Sequence, residues 1–159
     1  MKGVYMIEAM KKVAELCGDT SQGIFYRLKA AKAHPVKLTS VREIFTPQEI
    51  QEIMERIKPQ KHECFATAQR LSMEYEYEYA EGELGIGGCF GAEHALNKKG
   101  DAYFDFTVEM VLRRNVEEED FVCVAEFSDN FVRKACLELG VFSSLVSYKF
   151  SKDRTLDYE

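Results

Sequence analysis

Long apolar runs are missing from this chain: no stretch approaches the ~20 residues that a bilayer span requires, which sets aside a membrane partner. Paired cysteines are missing too. The five cysteines, at positions 17, 64, 89, 123 and 136, are odd in number, include no CxxC pair and match no zinc-knuckle or ribbon spacing. A disulfide framework is not expected in a reducing compartment, and most of the five should be small buried apolar residues. No metal and no cofactor are expected. The chain has no internal repeat and no low-complexity linker. Prolines number only three, and all three read as helix boundaries. The glycine-rich stretch 82–91 holds five of the ten glycines, but no Lys-Ser/Thr pair follows it and no helix opens after it. That excludes a phosphate loop and leaves a mobile flap.

Hydrophobic residues make up 46% and aromatics 12% of the 159 residues, so disorder is excluded and one domain with a real core is expected. The opening MetLysGlyValTyrMetIleGluAlaMetLysLys mixes both charges into its apolar stretch, unlike a signal peptide, and points to a cytoplasmic protein. The net charge of −6 is uneven. Residues 1–62 carry 11 Lys and Arg against 7 Asp and Glu, whereas residues 63–159 carry 10 against 20. Nucleic acid is therefore a poor partner for the second part.

Along the chain, Val4, Ile7, Met10, Val13, Ala14 and Cys17 fall near helical spacing before Gly18, and a weaker helix spans 21–33. Thr46, Pro47 and Glu49 make a capping box with proline at the first helical position, followed by Ile50, Ile53, Met54 and Ile57 on one face. Residues 1–58 thus read as a helical layer, part of the same globular unit. From 59 to 152 the texture is mixed. A helix spans about 63–74, and a period-two strand Tyr75–Tyr79 follows. The flap leads to a hairpin over 93–112 turning at Lys98–Asp101, and then to a strand at 121–126. Ser128 caps a helix carrying Phe131, Val132, Ala135, Cys136 and Leu139 before Gly140, and a last strand covers Val141–Phe150. Residues 153–159 read as a frayed tail. Helices first and mainly antiparallel strands afterwards make an α+β pattern.

Three residues stand out chemically. Cys64 opens a helix just after Pro59, Lys61 and His62, where unpaired N–H groups and about half a positive charge favour thiolate over thiol. A four-residue turn at Lys98–Asp101 pairs Asn97 with Ala102 and sets His94 opposite Asp105 at the ~4.5–5.5 Å of cross-strand neighbours. A carboxylate on one imidazole nitrogen fixes the tautomer and aims the other nitrogen outward. A zinc site from the same three residues shows only three ligands. His62 has no evident orienting carboxylate, and Cys89 reads as a loop cysteine of the flap.

Cys64 at a helix start, TyrAlaGluGly (79–82), GluHisAla (93–95) and TyrPheAspPheThr (103–107) follow the order seen in papain-like and transglutaminase-like cysteine proteins. Over about residues 59–145 the chain resembles small phage and bacterial proteins of that fold, whose Tyr/Phe-x-Gly-Val-x-Phe segment is similar to PheValCysValAlaGluPhe at 121–127. The resemblance implies a nucleophile helix packed on an antiparallel sheet. It also implies Cys64 as nucleophile, His94 as general base and acid, Asp105 as orienter, and a peptide or protein substrate. The backbone N–H of Cys64 is one natural oxyanion donor. By analogy with the glutamine that precedes the nucleophile in papain-like enzymes, Gln60 is a candidate second one. Thr67, Leu96 and Phe106 stand where that group has Asn, Trp and Pro, so a catalytically inactive binding or inhibitor module is the alternative. Oligomeric state is not legible.

Overall fold

Local chemistry starts most helices where the sequence provides an acceptor for their free N–H groups. Thr20, Ser40, Thr46, Ser128 and Ser144 each accept from the first turn of the helix they precede. The computed structural model describes residues 2–159. Among them the elements run α1 (Val4–Cys17), α2 (Ser21–Lys32), β1 (His34–Val36), α3 (Val41–Ile44), α4 (Pro47–Ile57), α5 (Cys64–Tyr75), β2 (Glu78–Ile86), β3 (Phe90–Lys99), β4 (Ala102–Phe104), β5 (Phe121–Phe127), α6 (Asp129–Leu139) and α7 (Leu145–Asp153). This is a mixed α+β architecture around one antiparallel sheet ordered β1-β5-β2-β3-β4. No helix among the described residues is long and apolar enough to cross a membrane.

The sheet curls until its edges meet. Past β1 the chain reaches the opposite edge, where Leu38 bridges Tyr103 in parallel and the Thr39 N–H donates to the Tyr103 carbonyl at 2.7 Å. Leu38, Ala80, Leu84, Leu96, Val108, Val116, Phe121 and Cys123 fill the inside of the curl. Outside it, α1, α5, α6 and α7 pack Met6, Met10, Ala68, Val132, Ala135, Leu145, Val146 and Phe150 against Tyr79, Val122, Val124 and Phe127. A third cluster sets Val41, Phe45, Ile53 and Ile57 against Leu71, Phe104 and Phe106. The capping box of α4 is formed in full: Glu49 N–H donates to Thr46 Oγ1 at 3.2 Å and Thr46 N–H to Glu49 Oε1 at 2.9 Å.

Several elements differ from the expectation. The first sixty residues are not helical throughout, because β1 pairs with β5. The aromatic strand starts later: α5 runs to Tyr75, Glu76 ends it with φ 62°, and Tyr77 stacks on Tyr75 while Tyr79 enters the core. The glycine-rich stretch is mostly sheet, since β2 and β3 pair up to Ile86 and Phe90 and only residues 87–89 turn the hairpin. The segment expected as a last strand forms α7 instead. Ser144 Oγ accepts from Ser147 N–H at 3.1 Å, and the buried Glu81 carboxylate takes the Leu145 N–H at 2.8 Å. Nor is the tail frayed: Leu156 is buried, Ser128 N–H donates to the Glu159 carbonyl at 2.5 Å, and Lys149 pairs with Glu159.

Candidate active site

The path into α5 explains why its first turn is chemically available. Lys58 adopts φ 53° after α4, the Glu63 N–H closes a turn onto the Gln60 carbonyl at 3.2 Å, and Glu63 becomes the N-cap without capping through its side chain. The first helical bond is Thr67 N–H to Glu63 C=O at 3.0 Å. The N–H groups of Cys64, Phe65 and Ala66 therefore stay unused by the helix, and the helix dipole is unneutralised at the half-buried Cys64. Gln60 lies exposed in the turn leading to this end, and His62 is exposed with φ 68°.

α5 runs alongside β3 and is fastened to it by Asn97, whose side-chain N–H donates to the Ala68 carbonyl at 2.8 Å. Four residues before Ala68 is Cys64; three before Asn97 is His94. His94 is 7% exposed, paired with Gly82 on β2, with the Phe121 ring edge-on at 6.2 Å. Its Nε2 is hydrogen-bonded to Asp105 Oδ2. The other carboxylate oxygen, Oδ1, accepts the Val108 N–H at 2.9 Å, where the chain enters a π-helical turn at Thr107–Val111. That bond fixes the carboxylate as the carboxylate fixes the ring.

The contact arises by a different register from the one expected. The β3–β4 turn has two residues, Gly100 and Asp101, and Lys99, Lys98 and Asn97 pair with Ala102, Tyr103 and Phe104. Asp105 is thus a diagonal neighbour of His94, beyond the end of β4. A slip of one residue would have turned it to the other face; a slip of two preserves the face.

Cys64 acts on the same imidazole. Burial alone would lower the His94 pKa, but the Asp105 charge and hydrogen bond, followed by hydrogen bonding and charge from Cys64, push it up to about 10. With Nε2 engaged by Asp105, Nδ1 is the nitrogen left to exchange a proton with the thiol. Asp105 and Cys64 thus both act on one ring. A metal needs donors that converge. Among the described residues, three such donor atoms come within 4.8 Å of one another only at His34, Cys123 and Glu126.

The chain matches no family model, no curated protein and no solved structure. What the site can do therefore rests on its own chemistry.

The other thiols are placed less favourably. Burial pushes Cys123 up to about 12 and also raises Cys136. Cys89 is exposed at the hairpin tip, five residues before His94, roughly 17 Å at about 3.3 Å per step. One group of neighbours carried no sequence signal of its role. Behind Cys64, the Tyr79 hydroxyl donates to Glu81 Oε2 at 2.6 Å and accepts from Gln69 Nε2 at 3.3 Å. Gln69 Nε2 also donates to the Ser143 carbonyl at 2.6 Å. Burial, then Glu81, holds the Tyr79 phenol well above its usual range, with a contribution from the charge of Cys64. Tyr79 thus stays a neutral donor to Glu81.

The raised His94 pKa makes a stability prediction. The unfolded imidazole titrates near ~6.5, so the stabilisation is fully present below that pH and is lost as pH rises through about 10. Urea unfolding midpoints of wild type and His94→Gln, measured from pH 6.5 to 10, should converge as pH rises. A constant difference across that window would show that no protonated imidazole is being stabilised.

Proposed function

We propose that this chain is a thiol-dependent hydrolase or acyl transferase of papain-like or transglutaminase-like fold, acting on an amide, isopeptide or thioester carbonyl of a peptide or protein. The observation that carries the reading is one imidazole bonded to a carboxylate and acted on by a thiol at an uncapped helix N-terminus. Cys64 Sγ attacks the carbonyl carbon, its proton resting on His94, whose raised pKa keeps the ring protonated at neutral pH. The oxygen, now negative, faces the free N–H groups at the start of α5, with Gln60 as the candidate second donor. The C–N or C–S bond breaks as His94 returns the proton to the leaving group, and an acyl-thioester remains on Cys64. Water or an amine then attacks that ester, again losing its proton to His94. Asp105 keeps the ring in place. Thiol chemistry of this kind suits a reducing, cytoplasmic setting.

The burial of His94 favours a second reading, a binding or inhibitor module on the same scaffold without turnover. Thiol labelling separates the two. At neutral pH, iodoacetamide should modify Cys64 about tenfold faster than the exposed Cys89, with Cys123 and Cys136 slowest. Peptide mass spectrometry gives the rate at each site. Equal rates at Cys64 and Cys89, unchanged by His94→Ala, would sink the enzymatic reading. Acyl adducts trapped on Cys64 from lysate peptides would identify the substrate class.

A further inference from the structure

A second chemically mixed cluster lies on the inner face of the sheet near β1. On paired strands β1 and β5, His34 stands directly opposite Cys123. Cys123 and Glu126 are three residues apart, and a regular strand would send them to opposite faces. It does not, because β5 holds an extra residue: Glu81 pairs with Ala125 but Gly82 pairs with Cys123, leaving Val124 as a bulge. Val124 and Phe127 join the outer core while Phe121 and Cys123 join the inner one. Glycine at 82 permits the bulge, since a Cβ there would meet the Val122 carbonyl oxygen at 1.9 Å. One donor atom each from His34, Cys123 and Glu126 then lies within 4.8 Å of the others.

The surroundings are those of a ligand set. His34 Nδ1 sits 3.1 Å from the Lys32 carbonyl, which fixes it as the protonated nitrogen and leaves the lone pair on Nε2. Cys123 is fully buried, whereas His34 is exposed, so one ligand opens to solvent and gives an entry path.

We propose that His34, Cys123 and Glu126 form a zinc site that clips β1, and with it the N-terminal helices, to β5. Sulfur, imidazole nitrogen and carboxylate oxygen together suit zinc better than a hard cation such as magnesium. Thiolate and carboxylate neutralise the ion's two charges, the thiol proton leaving to water as the S–Zn bond forms. A water or small anion completes a tetrahedral set. Lys98 Nζ, 3.0 Å from Glu126 Oε1, is the built-in competitor: its ammonium holds the carboxylate and must withdraw for the ion.

The test uses the full chain freed of metal by chelation, in a Cys64→Ala background so that no thiol of the proposed active site competes. Titration with Co²⁺ should saturate at one equivalent with a thiolate-to-cobalt charge-transfer band, which Zn²⁺ then abolishes. His34→Ala, a change at an exposed side chain, should weaken binding about tenfold or more, while Lys98→Met should tighten it. Zn²⁺ should raise the Tm of the parent but not of His34→Ala. Absence of the charge-transfer band, or a band undiminished in His34→Ala of native circular dichroism, would overturn the proposal. Weaker binding by Lys98→Met would overturn the placement of the ion beside Glu126.

Discussion

His94→Ala should slow the release of p-nitrophenol from p-nitrophenyl acetate, an activated ester that asks nothing of a specificity pocket, by about 10²–10⁴-fold. The loss is expected because the ring is the one group placed to hold the proton and deliver it to the leaving group. Asp105→Ala should fall in the same direction by a smaller factor. It leaves the imidazole but removes both the Oδ2 contact and the Oδ1 cap on Val108 that hold it. Cys64→Ala should abolish the burst of one equivalent altogether, with no acetyl adduct in the intact mass. A burst that survives in Cys64→Ala would place the chemistry elsewhere. A burst in His94→Ala at the wild-type rate would leave the imidazole without a catalytic part.

The pieces of this site were unequally legible. Cys64 at a helix start follows from Pro59 and the periodicity after it, both local signals. The facing of His94 and Asp105 survived a wrong turn because the error was two residues, and strand alternation has period two. What was not legible is long-range. Val141, Phe142, Leu145 and Val146 suit a strand, yet Leu145–Asp153 form α7. Its helix is completed by a carboxylate more than sixty residues away, which no local pattern announces. β1 was missed because it is three residues long and contains Pro35, tolerable only where an edge strand lacks one neighbour.

That remote carboxylate carries the second large effect. Glu81→Ala should lower stability by about 3–5 kcal/mol and the Tm by roughly 10 °C for a chain of this size. Glu81 is buried and accepts from the Tyr79 hydroxyl, the Ser144 hydroxyl and the N–H groups of Leu145 and Val146. Its removal strands several donors at once and frees the start of α7. Thermal melts by circular dichroism give the number, and a shift under ~2 °C would mean that α7 is held by packing alone. Burial raises the Glu81 pKa despite those donors, so ionisation costs stability. The group is most favourable below its unfolded value near ~4.5 and less so as pH rises through its folded one. The melting temperature of Glu81→Gln should therefore gain on wild type as pH increases from 4 to 7.

The closing of the sheet by residues 34–39 also has a colloidal consequence. The strap lies along β5 on one side and meets β4 on the other. β5 reads PheValCysValAlaGluPhe: β-branched and aromatic, one charge, no proline. Such a run with a bare rim of N–H and C=O groups is a template for other chains. Residues 1–58 are thus more than a layer beside the core. Residues 34–39 cover that rim, and a chain trimmed to begin at residue 59 would be expected to precipitate.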